Sequence, residues 1–163
     1  MVSKLSATPR PLHPPLAHAP IGAILIATVL DVISAIDGGA HPWARDLFHT
    51  GTYVLMTGMG VMFLAIIAGV IDRRRFTAAS SRPRQGANVH AALMTALAVV
   101  CVLEITLRRN VYADAHATPA VVTGVSVLAL ALVTVGGELG GRLVYGAGVG
   151  VRGDATAPAP RSR

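Results

Sequence analysis

The chain has 163 residues, of which 53% are hydrophobic and only 13% are charged, and its mean hydropathy is +0.59. This composition is too apolar for a water-soluble domain of this length, so the sequence indicates an integral membrane protein. The formal net charge of +6 comes from basic residues that flank apolar runs. Such residues indicate how a protein is oriented in the membrane, so we expect no nucleic-acid partner.

Four apolar runs have the length needed to cross a bilayer. They lie at about 20–36, 51–71, 90–108 and 119–137. About 20 residues at about 1.5 Å per residue cross the hydrocarbon core, and a spanning segment must satisfy its own backbone hydrogen bonds. The predicted fold is therefore all-α, a polytopic membrane protein whose four transmembrane helices form a bundle.

The polar ends of the chain differ from the apolar runs. Residues 1–12 and 152–163 are rich in Pro, Ala and Arg, which predicts disordered tails on either side of a transmembrane domain at 13–151. A cleaved signal peptide is the alternative interpretation of the first run. The proline-rich stretch ahead of that run and Asp31 inside it favour a retained helix.

The basic residues predict which side of the membrane holds the chain ends. With four spans, both termini and the middle loop share one side, and this side receives eleven of the fourteen Lys and Arg residues. Only Arg45, Arg108 and Arg109 fall on the other side. Since loops rich in Lys and Arg stay in the cytoplasm, we expect both termini to be cytoplasmic.

The stretch PLHPPLAHAPIG places His13 and His18 just ahead of the first apolar run. His90 opens the third run, so this topology predicts all three histidines at one level near the cytoplasmic surface. Haem iron in helical bundles is commonly bound by imidazoles from facing helices. We therefore interpret His18 and His90 as candidate ligands of a haem b iron, with His13 as a substitute. Capping, lipid contact and ordinary hydrogen bonding are the simpler alternative.

Polar residues inside the spans form a second pattern. Cys101, Glu104 and Arg108 lie within about 40° of the histidine that opens helix three, and Asp31 belongs to a seam of small and polar residues on helix one. Small residues let membrane helices approach, so we expect helices one and three to pack through these faces. By helix length, Asp31 and Glu104 reach similar depths and can share a layer, where two carboxylates would not both stay ionised. Either one proton is held between them, or a cation such as Arg108 or His49 pairs with one of them. The cluster is either a proton relay or coupling site, or a contact that fixes helix packing.

The end of the fourth run is rich in glycine. Gly146, Gly148 and Gly150 imitate a phosphate-binding loop, but no strand precedes them and no helix clearly follows, which argues against a nucleotide site. We expect this region to end helix four and to pack near His18 and His90. The glycines assigned to this packing are Gly136, Gly137, Gly140, Gly141, Gly146, Gly148 and Gly150.

Four motifs in order resemble one known family. They are PLHPPLAHAPIG followed by LD, GVIDRR closing helix two, VHAAL opening helix three, and GGELGGRLVYGAGVGV after helix four. Together they resemble the domain-of-unknown-function 2231 family of predicted four-helix bacterial membrane proteins, over about residues 11–151. The resemblance implies the fold, the topology and a multi-pass location in the bacterial inner membrane. The positions that match the family pattern are His13, His18, Pro20, Asp31, Asp72, His90 and the glycine-rich end.

The resemblance also has a departure and a functional hint. Met94 stands where the family pattern has an asparagine, which removes a polar group from this position. Relatives in which this domain is fused to a Rieske-type iron–sulfur domain hint at electron transfer.

Three functions follow as expectations, and none is enzymatic, because no nucleophile or carboxylate pair stands beside a histidine at a readable spacing. The first is a noncatalytic module that contacts the lipid bilayer and packs with a membrane partner, as a homo-oligomer or as a subunit of a redox complex. The alternative is a haem b electron-transfer protein that uses the interfacial histidines. The third is a small transporter or proton-coupled module, which would need polar groups through the full membrane thickness.

Overall fold

The computed structural model describes residues 10–78 and 81–150, and it confirms the all-helical fold. The helices are α1 (His13–Asp37), α2 (Pro42–Phe76), α3 (Arg82–Val111) and α4 (Ala120–Gly141), and a π-helical turn (Arg142–Gly146) follows α4. All four helices are long and apolar enough to cross a membrane. The described ranges contain no strand. Apart from residues 10–12, the predicted tails lie outside the described residues.

The proline-rich stretch forms the first turns of α1. Pro14 and Pro15 lack backbone N–H groups, so they remove two donors that a helix start would leave without partners. The backbone N–H groups of Leu12 and His13 donate to Asp72 Oδ2 on α2, at 2.7 and 2.8 Å. The end of α2 therefore caps the start of α1, and α1 begins well before its apolar run.

A second interhelical cap joins α2 to α3. Ser81 Oγ accepts the backbone N–H of Arg84 at 3.2 Å and caps the start of α3. The Arg84 guanidinium reaches back to the Arg73 carbonyl at 2.7 Å and so satisfies an acceptor at the end of α2. The starts of α1 and α3 and the ends of α2 and α4 thus lie at one end of the bundle. We call it the arginine-rich end, after Arg73–Arg75, Arg82, Arg84 and Arg142.

The four helices form a ring in which α1 packs on α2 and α4, and α3 packs on α4 and α2. The predicted meeting of the polar faces of α1 and α3 is observed, since Arg108 of α3 pairs with Asp31 of α1, but the two helices lie diagonally and their backbones do not approach. The small residues of α1 pack on glycines of α2: a Cβ on Gly58 would collide with Ala23, and one on Gly51 would lie 3.5 Å from the Ala27 carbonyl. Helices α1 and α3 meet only through side chains at the bundle axis.

An apolar core fills the axis between the two ends. Its buried members are Ile24, Ala27, Leu55, Met62, Leu97, Cys101, Ala129 and Val133. Cys101 is fully buried as a free thiol, so it acts as a small apolar filler in this core. The core separates two layers of polar side chains, one toward each end of the bundle.

Candidate functional site

The first polar layer surrounds Arg108 and is fully buried. We call Asp31, Glu104, Arg108 and Ser126 the ionic cluster; none of them is more than 1% exposed. Arg108 donates to Glu104 Oε1 from Nε at 3.0 Å and from Nη2 at 2.6 Å, and Nη2 also donates to Asp31 Oδ2. Ser126 Oγ lies 2.6 Å from Asp31 Oδ2 and 2.7 Å from Glu104 Oε1. One guanidinium therefore joins the carboxylates of two diagonal helices.

Hydroxyl groups complete the contacts of the ionic cluster. Arg108 Nη1 donates to Thr52 Oγ1 at 3.2 Å, and Thr118 Oγ1 lies 3.2 Å from Asp31 Oδ1. The Arg108 guanidinium also lies over the Phe48 ring, 5.6 Å from its centroid. Gly51 packs beside the cluster, where a Cβ would make an ordinary contact 3.4 Å from Asp31 Oδ1. All four helices therefore contribute to one buried contact region.

The sequence placed part of this region correctly. The shared layer of Asp31 and Glu104 and the pairing with Arg108 are observed. His49 is not the partner of a carboxylate; its Nε2 lies 3.0 Å from the Tyr112 carbonyl, and its ring stacks on Tyr112. The roles of Thr52 and Ser126 were missed, and their only signal was a hydroxyl inside an apolar run.

The second polar layer lies at the arginine-rich end. The rings of His13 and His90 meet edge to face across the bundle axis, with 5.9 Å between their centroids. We call them the histidine pair. His13 Nδ1 lies 2.8 Å from the Ala65 carbonyl, and His90 Nδ1 lies 3.0 Å from the Gly136 carbonyl. A carbonyl only accepts, so Nδ1 carries the proton in each neutral ring and Nε2 keeps a lone pair that can accept or bind a metal.

Each imidazole lies on a glycine of the neighbouring helix. A Cβ on Gly69 would lie 3.0 Å from His13 Nδ1, and one on Gly140 would lie 3.2 Å from His90 Cε1. Both glycines stand one helical turn after the carbonyl that accepts from the ring. Glycine therefore lets the ring reach the helix backbone, and both hairpins, α1–α2 and α3–α4, use the same contact.

His18 does not join the histidine pair. It is exposed, and its Nδ1 lies 2.8 Å from the Pro14 carbonyl of its own helix. Five residues turn a helix by about 140°, so His18 points away from the direction that brings His13 to the axis. The structure thus brings His13, and not His18, to His90. Within residues 10–78 and 81–150, no group of three or more His, Cys, Asp or Glu side chains could hold a metal ion.

The glycine-rich region packs beside the histidine pair in part. Gly136 makes room for the Met94 side chain, and Gly140 contacts His90. Gly150 has a positive φ of 75° and lies against Pro11, so the N-terminal neighbour of this region is Pro11 and not His18. Gly148 also has a positive φ, of 69°. The remaining members face open space: Gly137, Gly141 and Gly146.

An apolar groove opens between α2 and α3, the loosest of the four helix interfaces. Its volume is about 240 Å³, and its lining residues are Met59, Met62, Phe63, Ile66, Thr95, Ala98, Val99 and Val102. The groove lies beside the apolar core, away from both polar layers. It offers packing surface and almost no hydrogen-bonding groups.

Comparison with known proteins gives one match. No curated protein and no solved structure matches the chain. The family described as "Predicted membrane protein (DUF2231)" matches residues 9–153, nearly the whole chain. This agrees with the four apolar helices and with the motifs that carry the resemblance. The chain therefore belongs to the DUF2231 family of predicted membrane proteins.

Proposed function

We propose that this protein is a noncatalytic integral membrane module that packs with a membrane partner or with a second copy of itself. The hydrogen-bonding groups of the ionic cluster contact one another and are closed to solvent, which leaves no open polar cleft around them for a substrate. The surface available within the membrane is apolar. The observation that carries the proposal is the groove between α2 and α3.

The groove has the chemistry that a transmembrane helix would recognise. Phe63 is 69% exposed and Val99 is 64% exposed on its two walls. Helices associate in a bilayer through van der Waals packing, so an indented apolar surface favours a complementary helix over disordered lipid chains. A partner helix seated there would cover the loosest interface of the bundle.

Filling the groove tests this proposal. We expect Val99→Trp to weaken association, while Val135→Trp, on an exposed face of α4, serves as the matched control. Single-molecule photobleaching in liposomes reads self-association, and native electrophoresis of source membranes reads a complex with another protein. The proposal fails if the wild type is monomeric in both assays, or if both tryptophan variants behave alike.

Electron transfer through a bound haem b is the second candidate, and the histidine pair favours it. Two imidazoles that bind one metal through Nε2 at about 2.0–2.1 Å have ring centres roughly 6 Å apart, close to the spacing of this pair. His13 and His90 would hold the iron, and the bound haem would supply one-electron chemistry. A porphyrin also needs flat space, and the groove between α2 and α3 is lined by neither histidine. A single metal ion between the two rings needs less space than a porphyrin.

Visible absorption and elemental analysis of the full-length protein, purified from its native membrane, test this second candidate. We expect His13→Ala and His90→Ala to remove a haem band or a stoichiometric metal, and His18→Ala, the exposed control, to retain it. A colourless and metal-free protein would exclude the candidate. Loss in all three variants would exclude the histidine pair as the site.

A small transporter or proton-coupled module has less support. Asp31 and His13 are separated by about five helical turns, roughly 27 Å along α1. The apolar core lies between them, including Ile24, Ala27 and Leu97. A proton or solute that crosses the bundle would need polar groups along this distance.

A further inference from the structure

A second cavity, which we call the basic cleft, opens at the arginine-rich end between the start of α3 and the π-helical turn. Its volume is about 440 Å³. The cleft is amphipathic: Val89, Leu139 and Leu143 give it apolar walls, and Arg82 and Arg142 are the two charged residues of its lining. It is separate from the histidine pair and from the groove between α2 and α3.

Local backbone features shape this cleft. The Ala147 N–H donates to the Arg142 carbonyl at 3.0 Å, the five-residue spacing that widens the helix into a π turn. Such turns are frequent at functional sites. A Cβ on Gly86 would lie 3.0 Å from Leu143 Cδ2. Glycine at this position therefore lets the Leu143 side chain pack closely against α3. The widened turn and the glycine together leave the space that the cleft occupies.

The cleft lies at the level where a membrane helix meets headgroups. Tyr145 in the π-helical turn is 90% exposed, and tyrosine is enriched at this interface. Arg142 donates through Nε to Glu138 at 2.9 Å, and its terminal nitrogens make no hydrogen bond within the described ranges. Even with Glu138 counted, the lining has an excess of positive charge. Basic pockets between transmembrane helices are the sites at which anionic headgroups bind.

We infer that the basic cleft binds one anionic phospholipid, with its phosphate between Arg82 and Arg142 and an acyl chain against Val89, Leu139 and Leu143. The positive charge of the lining favours an anionic headgroup over a neutral one. The apolar walls favour a lipid over a free anion, because they contact its acyl chain. Arginine suits this role because its planar guanidinium matches phosphate oxygens. This site does not depend on the function proposed above.

Native mass spectrometry of the full-length protein in detergent tests the inference, with titration by dioleoyl phosphatidylglycerol, dioleoyl phosphatidylcholine or inorganic phosphate. We expect one phosphatidylglycerol to bind in preference to phosphatidylcholine. The double variant Arg82→Gln, Arg142→Gln should lose on the order of tenfold in phosphatidylglycerol affinity, since each arginine contributes to anionic-lipid binding. Glu138→Gln should raise the affinity, because it removes the carboxylate that competes for Arg142.

The matched control is Arg74→Gln, Arg75→Gln, which removes the same charge from exposed positions at the same end of the bundle but outside the cleft. It should change the affinity less than twofold, and Arg82→Lys, Arg142→Lys should restore part of the loss. If both glutamine double variants lose the same phosphatidylglycerol affinity, the lipid is attracted by the overall positive charge of this end. That result would overturn the site. Inorganic phosphate binding as tightly as the lipid would overturn the assignment to a lipid.

Discussion

At the scale of single residues, Arg108 forms ion pairs with two carboxylates, Asp31 and Glu104. It is fully buried, as are the two carboxylates that it joins, so each charge depends on its partners in a medium that does not solvate ions. Removing the guanidinium would leave Asp31 and Glu104 close together without a cation. The stability of the bundle should therefore depend on this one side chain.

We expect Arg108→Leu to destabilise the protein by about 3–5 kcal/mol, the cost of breaking a buried ion pair on one side. Neutralising the carboxylates as well, with Asp31→Asn and Glu104→Gln, should recover part of this loss. Unfolding in mixed micelles, followed by circular dichroism, measures the change. Arg109→Leu is the matched control, since Arg109 is the adjacent residue and is exposed. An equal shift in both variants would contradict a structural role for the ionic cluster.

Helix geometry explains which of these contacts the sequence predicts and which it does not. Positions four residues apart lie on one helix face, so the pairing of Arg108 with Glu104 could be predicted from the spacing alone. His13 stands 18 residues before Asp31, about five full turns, so it shares the inward face of α1, and His18 lies about 140° away from it. The prediction missed this because it began the helix at about residue 20 and left both histidines ahead of it. Gly69 of α2 then leaves the room in which the His13 ring packs.

At the scale of elements, hydropathy predicted the helices but not their ends or their order. Each span is a long apolar run, which is sufficient to identify a membrane helix. The start of α1 was missed because its first donors are satisfied by Asp72 of α2, a contact between distant residues. The diagonal placement of α1 and α3 was missed because a polar stripe shows which face points inward, and not which helix stands opposite.

The contact between His90 and α4 gives a prediction at this scale. We expect Gly140→Leu to destabilise the α3–α4 hairpin by about 1–3 kcal/mol, because the new side chain must displace the ring that packs there. Hydrogen exchange of the first turns of α3 measures the loosening. Gly137→Leu is the control, since a Cβ on Gly137 meets nothing within 4 Å. Equal exchange in the two variants would show that the close contact with His90 is unimportant.

At the scale of the whole molecule, the bundle consists of two similar hairpins. In each one, an imidazole on the first helix bonds a carbonyl of the second helix beside a glycine. In each one, a charged residue follows about five turns later on the first helix, Asp31 in α1 and Arg108 in α3, and these two residues pair. The two contacts between diagonal helices are therefore equivalent positions of a repeated unit, which the sequence alone did not reveal.

The two hairpins also bring the two ends of the described part of the chain together, since Gly150 lies against Pro11 at the arginine-rich end. The arginine-rich end collects Arg73–Arg75, Arg82, Arg84 and Arg142, while Arg108 is buried in the ionic cluster. Loops rich in arginine stay in the cytoplasm, so we expect the arginine-rich end to face the cytoplasm. Burying Arg108 strengthens the asymmetry of exposed charge, because that guanidinium is neutralised inside the bundle.

Single reporter cysteines test this orientation in a Cys101→Ala background. We expect Ala113→Cys, exposed between α3 and α4, to react with a membrane-impermeant maleimide on intact spheroplasts. Ala78→Cys, exposed between α2 and α3, should react only after the membrane is permeabilised. The Cys101→Ala parent, which has no cysteine, gives the background for both. The reverse pattern would place the arginine-rich end outside the cell, and the basic cleft would then meet the outer leaflet.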